Sequence, residues 1–186
     1  MAARPMRADA QRNRDRLIEA AVRAFSHDGP EVTLEAIAKD AGVGIGTLYR
    51  HFPTREALVD AAYRNELTKL IDAAPDLLSA MEPDVALRTW MDHFVAYMTT
   101  KQGMGDALKA LIASGGNPFK DSRERLMQAL RQLLDASVDA GKIRADIDAW
   151  DMLVSLSGVA LAGEQAKHEQ IGRLLDLLMD GLRYRS

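Results

Sequence analysis

The chain contains no cysteine, which excludes disulfide frameworks, thiolate zinc sites and cysteine nucleophiles at the outset. A reducing compartment is compatible with that absence. No apolar run approaches the roughly 20 residues that a membrane-spanning helix needs. Residues 1–15 are polar and arginine-rich with no apolar stretch behind them, unlike a secretory signal, so a cytoplasmic protein is expected. Runs of β-branched residues are missing too, and no segment reads as a convincing strand. Phosphate loops, dinucleotide fingerprints and nucleophile elbows are likewise absent. The four histidines, His27, His51, His93 and His168, are scattered; Glu164 and His168 share a face only if their helix is continuous, and no second ligand pair accompanies them. No enzyme, metal or cofactor is therefore expected.

What is present suits a folded helical protein. Hydrophobic residues form 47% of the 186, enough for a real core, and length allows one large domain or two small ones. The net charge of −3 is unevenly spread: nine basic residues face seven acidic ones through Arg55, against fifteen and twenty thereafter. Five arginines (Arg4, Arg7, Arg12, Arg14, Arg16) precede Leu17, so only one end of the molecule suits a polyanion, unless that end is simply a solvated, frayed terminus.

Helical periodicity runs throughout and predicts about nine helices. Leu17, Ile18, Ala21, Val22 and Phe25 form the stripe of a first helix over 9–27, stopped by Asp28, Gly29 and Pro30. Thr33 caps a short helix over 34–41, Gly42 to Gly44 make a turn, and a second short helix covers 45–51. Thr54 caps a longer helix that Pro75 breaks or kinks. Further helices are expected from Pro83 to about residue 101, over 106–113, and from an Asp121/Glu124 capping box to Ala140, with Gly141 as C-cap glycine. Asp148 caps the next, to about residue 162, and the last covers 167–183.

Two short helices joined by a tight glycine turn are what a helix-turn-helix requires. Ile37, Val43, Leu48 and Phe52 are spaced to share a core with the first helix, which leaves Gly44, Ile45, Gly46, Thr47, Tyr49, Arg50 and His51 on the outer face of the second short helix. Gly44 and Gly46 permit close approach to a duplex; Thr47, Tyr49 and His51 can donate to phosphates, and Arg50 can pair with guanine. Arg55 near a helix N-terminus makes sense if a phosphate sits there. The alternatives are that Tyr49 belongs to the core and that Arg50 and Arg55 are solvated surface.

The pattern Thr33, Ile37-Ala38, Ala41-Gly42-Val43, then Gly46-Thr47-Leu48-Tyr49, His51-Phe52, then Arg55-Glu56 and Leu58 resembles the N-terminal domain of the TetR family of bacterial transcriptional regulators. The resemblance covers about residues 12–59; beyond it only length and helical layout correspond. It implies an all-α fold, with a helix-turn-helix DNA-binding domain at 1–55 and a ligand-sensing and dimerisation domain at 56–186. It also implies that Thr33, Gly46, Thr47, Tyr49, His51 and Arg55 face DNA. Many members carry Ser-Lys where Gly44-Ile45 stands here, so a phosphate-binding lysine is missing, and the early arginines are candidates to compensate.

The later helices carry Trp90, Met91, Phe94, Tyr97 and Met98, followed by Met104, Leu108 and Leu111, then Met127, Leu130 and Met152. Methionine adapts to irregular cavities, so these residues suit either an ordinary core or a pocket for a small apolar or aromatic ligand. The residue pattern alone points to the core; resemblance to a family whose members commonly release DNA on binding a ligand puts the pocket level with it. Trp150, Leu153, Val154 and Leu161, with Leu174, Leu175 and Leu178, form wide apolar stripes on the last two helices. The resemblance assigns them to a homodimer interface matched to a palindromic operator. A non-specific architectural DNA binder and a helical adaptor remain as alternatives.

Overall fold

The computed structural model describes residues 3–27, 31–119, 121–162 and 168–183, with backbone alone for 3–7 and 168. Nine α-helices and no strand occur among them: α1 (Ala3–His27), α2 (Leu34–Asp40), α3 (Ile45–His51), α4 (Arg55–Ala80), α5 (Pro83–Gly103), α6 (Gly105–Ala113), α7 (Ser122–Asp139), α8 (Ala149–Ala162) and α9 (His168–Leu182). The helical periods therefore predict the fold class and nearly every boundary. The expected stop at residues 28–30 and the stretch 163–167 lie outside the described residues. No described helix is long and apolar enough to cross a membrane.

The chain divides into two compact units, one of Met1–Glu66 and Thr100–Pro118, the other of Leu67–Thr99 and Phe119–Ser186. In the first, α1 packs on both α2 and α3. Leu17, Ile18, Ala21 and Phe25 of α1 are buried, as are Ile37 and Ala38 of α2, Leu48 of α3 and Leu58, Val59 and Tyr63 of α4. These are the positions at helical spacing that could not face water without forfeiting about 1.5–3 kcal/mol each for the larger side chains. The same unit holds one unusually close backbone approach: a Cβ on Gly103 would lie 2.6 Å from the Ser26 carbonyl oxygen and 2.8 Å from its Cα.

In the second unit α7 packs on α8 and α8 on α9. Leu87, Trp90, Met91 and Phe94 of α5, Leu130 and Leu133 of α7, Leu156 of α8 and Leu175 of α9 are almost wholly buried. The Trp90 indole N–H donates to the Leu70 carbonyl at 2.9 Å, so the largest core side chain leaves no orphaned donor. Arg88 ties α5 to α9 through Asp176 at 2.8 Å and the Gly172 carbonyl at 3.3 Å, and pairs with Asp92 at 2.7 Å. Burial works against its cation, but the two carboxylates outweigh that and raise its pKa above the ordinary value.

Two local expectations are corrected. Of the break or kink expected at Pro75, the break does not occur: the α-helix runs through to Ala80. Pro75 is exposed, so water can satisfy the carbonyl that loses its N–H partner one turn earlier, and helix formers on both sides carry the helix past it. Asp121 opens α7 without a side-chain cap: its backbone is left-handed (φ 60°), and the carboxylate makes no capping bond. Asp tolerates that conformation better than most residues. Other caps form as their sequence signals imply. The Asp148 carboxylate accepts from the N–H of Trp150 at 2.7 Å, and Gly141 (φ +67°) closes α7 with bonds from Gly141 N–H to Val138 O and Lys142 N–H to Ser137 O.

Candidate nucleic-acid interface

The helix-turn-helix is assembled from local chemistry. Thr33 is extended, and its hydroxyl oxygen accepts from the Ala36 N–H at 3.2 Å, which starts α2. Gly42 ends it with φ +66°, a conformation costly for any residue with a Cβ. Gly42 N–H bonds to Lys39 O at 3.1 Å and Val43 N–H to Ala38 O at 3.0 Å, the paired bonds of a glycine C-cap. Gly44 then returns to extended backbone, and its carbonyl accepts from Thr47 and Leu48 to open α3. Leu48, fully buried, anchors the inner side, and Phe52, 2% exposed, closes the helix with its N–H on Leu48 O at 2.8 Å. Thr54 starts α4 by accepting from the Ala57 N–H at 3.1 Å.

With Leu48 and Phe52 turned inward, α3 presents the remaining positions. Tyr49 is 47% exposed, which removes it from the core. Arg50, Gly44 and Gly46 are exposed; Ile45, Thr47 and His51 are half-buried. A Cβ built on Gly44 or Gly46 meets nothing within 4 Å, so both glycines leave open space outside the helix. Thr33 is exposed, and its hydroxyl, though an acceptor in the cap, keeps its single proton for another partner.

Arg55 has a structural occupation that its sequence position does not announce. Its guanidinium lies 4.9 Å from the Phe25 ring centre and donates to the Val32 carbonyl at 2.6 Å. The cation at the start of α4 is thus accounted for within the fold, and a phosphate is no longer needed to explain it. Arg23 joins α1 to the end of α2 through Asp40 at 2.7 Å. Of the early arginines, Arg12 pairs with Asp9 and Arg16 with Asn13, while Arg14 stacks on Phe52 at 5.0 Å. The side chains of Arg4 and Arg7 lie outside the described ones. Sequence reasoning missed both stacks; an arginine facing an aromatic from another helix leaves no periodic signal.

The residues expected around a ligand are distributed over both units. Trp90, Met91, Phe94, Tyr97, Met127, Leu130 and Met152 are buried in the second and Met98 is half-buried there; Met104, Leu108 and Leu111 are buried in the first. Of the expected interface residues, Trp150, Val154 and Leu161 are exposed at 41%, 51% and 58%. Leu174 and Leu178 are half-buried, whereas Leu153 and Leu175 point into the core. Leu177, also on α9, is the most exposed large hydrophobic among the described residues at 68%. Arg123 stacks 4.0 Å from the Trp150 ring centre and covers one of its faces.

A three-helix head with a buried anchor and an exposed polar second helix defines the class: a helix-turn-helix DNA-binding regulator. Comparison with known proteins narrows the class. Residues 17–62 match the model for bacterial regulatory proteins of the tetR family, and residues 82–184 match the C-terminal domain of SbtR-like transcriptional regulators. A crystal structure of a TetR transcriptional regulator from Streptomyces coelicolor is 51% identical, with a TM-score of 0.87 over 93% of this chain and 99% of that one. A TetR regulator from Mycobacterium vanbaalenii is 34% identical, with a TM-score of 0.81 over 97% and 100%. A curated HTH-type transcriptional regulator of Staphylococcus aureus is 27% identical over 171 residues, 89% of each chain. The chain belongs to the TetR family of transcriptional regulators.

Proposed function

We propose that this protein is a cytoplasmic, homodimeric, one-component repressor that a small apolar or aromatic ligand releases from a palindromic operator. Its role is regulatory rather than catalytic. The observation that carries the reading is the outer face of α3, where Tyr49 and Arg50 stand exposed beside two glycines with open space around them. In this reading residues 1–55 grip DNA and 56–186 sense the ligand and dimerise. Arg50 and Thr47 read base edges; Thr33, Tyr49 and His51 hold phosphates, and Gly44, Ile45 and Gly46 bring the start of α3 close to the groove. Any contact of Arg55 with DNA comes in addition to its bond to the Val32 carbonyl and its place over the Phe25 ring.

The exposed apolar residues Trp150, Val154, Leu161 and Leu177 on the packed helices α8 and α9 support a dimer through those helices, because several large apolar side chains exposed on neighbouring helices are seldom left in water. A two-fold axis then presents two copies of α3 to successive major-groove half-sites. Ligand control needs only a difference in affinity between the DNA-competent conformation and another; about 1.4 kcal/mol of difference weakens operator binding tenfold. The pocket residues, Trp90, Phe94 and Met127 among them, are rich in aromatic and thioether groups that suit an apolar guest. Replacing Tyr49 and Arg50 together by alanine tests the reading. Specific operator binding is expected to vanish while helicity and dimerisation persist; unchanged operator affinity would remove α3 from the interface.

A further inference from the structure

Within the DNA-binding head, the arginines divide by what holds them. Arg12 is neutralised by Asp9, Arg16 is bonded to Asn13, Arg23 is paired with Asp40, and Arg55 is bonded to Val32. Arg14 differs. Positions one helical turn away on either side, Ala10, Gln11, Leu17 and Ile18, carry no acid, and no hydrogen bond or ion pair joins Arg14 to another described residue. Its guanidinium carbon lies over the Phe52 ring, 5.0 Å from the ring centre, at the residue that closes α3. The Phe52 ring in turn sits 6.3 Å from that of His51.

Stacking on an aromatic face uses the plane of a guanidinium but leaves its N–H edge unspent. The contact also fixes a side chain that would otherwise lose rotamer freedom when it met a ligand. Arg14 is half-buried, so part of it remains in solvent. A fixed, uncompensated, partly exposed cation at the end of α3 suits an anion that runs alongside that helix. The start of α3 itself carries no cation, since Gly44, Ile45, Gly46 and Thr47 are all uncharged. We propose that Arg14 is a backbone-phosphate clamp, held by Phe52 in register with α3. It supplies from α1 a positive charge that Ile45 does not. The proposal rests on α3 facing DNA.

The test is the salt dependence of binding to a random-sequence duplex long enough to seat both heads, using the full-length protein. Each neutralised phosphate contributes about 0.9 to the slope of log K against log salt, so losing one contact per subunit lowers the slope by roughly 1.8 per dimer. Arg14→Met keeps an apolar chain over Phe52 and removes only the charge. It is expected to melt near the wild-type temperature, to bind more weakly at low salt and to show the reduced slope. An unchanged slope, with or without weaker binding, overturns the clamp and leaves Arg14 a structural stack. Arg14→Lys, which keeps the charge without the guanidinium, is expected to retain the slope; a slope lower than wild type by roughly 1.8 contradicts the proposal even if the methionine variant fails to fold. Tyr49→Ala/Arg50→Ala, titrated in parallel, reports on α3 itself: unchanged binding there overturns the placement of α3 and the clamp together.

Discussion

Replacing Gly46 by alanine separates folding from DNA binding, because the two quantities are expected to move in opposite directions. Gly46 is the second residue of α3, and a Cβ built on it meets nothing within 4 Å. Alanine there removes backbone freedom from the unfolded chain and favours the helix. The gain is about 0.5 kcal/mol, at the low end of the ~0.5–1 kcal/mol range because the site lies in the first turn. For a chain of this length that corresponds to a rise of about 1–2 °C in melting temperature, measured at fixed protein concentration because a dimer's melting depends on it. On DNA the same methyl occupies space that the proposed interface fills with the duplex. An extra methyl in a close-packed contact costs about 1–3 kcal/mol, so operator affinity is expected to fall roughly fivefold to a hundredfold. Calorimetry and a DNA titration on one preparation give both numbers. A higher melting temperature with unchanged affinity would mean that DNA does not approach Gly46. A lower melting temperature would refute the helix argument itself.

Three further outcomes follow from the same geometry. Gly42→Ala forces a Cβ into φ +66°, although its nearest neighbour, Arg16 Nη1, is 3.7 Å away; strain without a clash predicts a loss of about 1 kcal/mol in chemical denaturation. Asp148→Ala removes the cap of α8, with its 2.7 Å bond to the Trp150 N–H, and is expected to cost about 1 kcal/mol by the same assay while leaving DNA affinity at matched dimer concentration unchanged. Val154→Glu with Leu177→Glu places charges on two exposed apolar positions of α8 and α9; sedimentation is expected to show monomers, and a persisting dimer would move the interface elsewhere.

Local chemistry made most of the fold legible. Thr33, Gly42, Thr54, Gly141 and Asp148 are caps and stops whose effects depend on their own backbone and the next few residues, and each acts as its residue type implies. Tyr49 could be placed outside the core only once Leu48 and Phe52 were seen to take the inner side. The misread positions depend on what surrounds them. Pro75 passes inside a helix because its side is exposed, and Asp121 fails as a cap because its backbone is left-handed. Arg55, Arg14 and Gly103 were not misread, but their partners elsewhere in the fold, Phe25, Phe52 and Ser26, are ones that no spacing along the chain reveals. The α8 and α9 stripes were visible as apolar, but the sequence could not separate Leu153 and Leu175, which serve the subunit's own core, from Val154 and Leu177, which face outward.

The most direct test of the central claim is selection of bound fragments from the source genome, followed by titration of the best site at two salt concentrations. The account predicts a palindromic site bound orders of magnitude more tightly than random DNA, by one dimer, with affinity falling as salt rises. Equal affinity for the selected site and random duplex would contradict it.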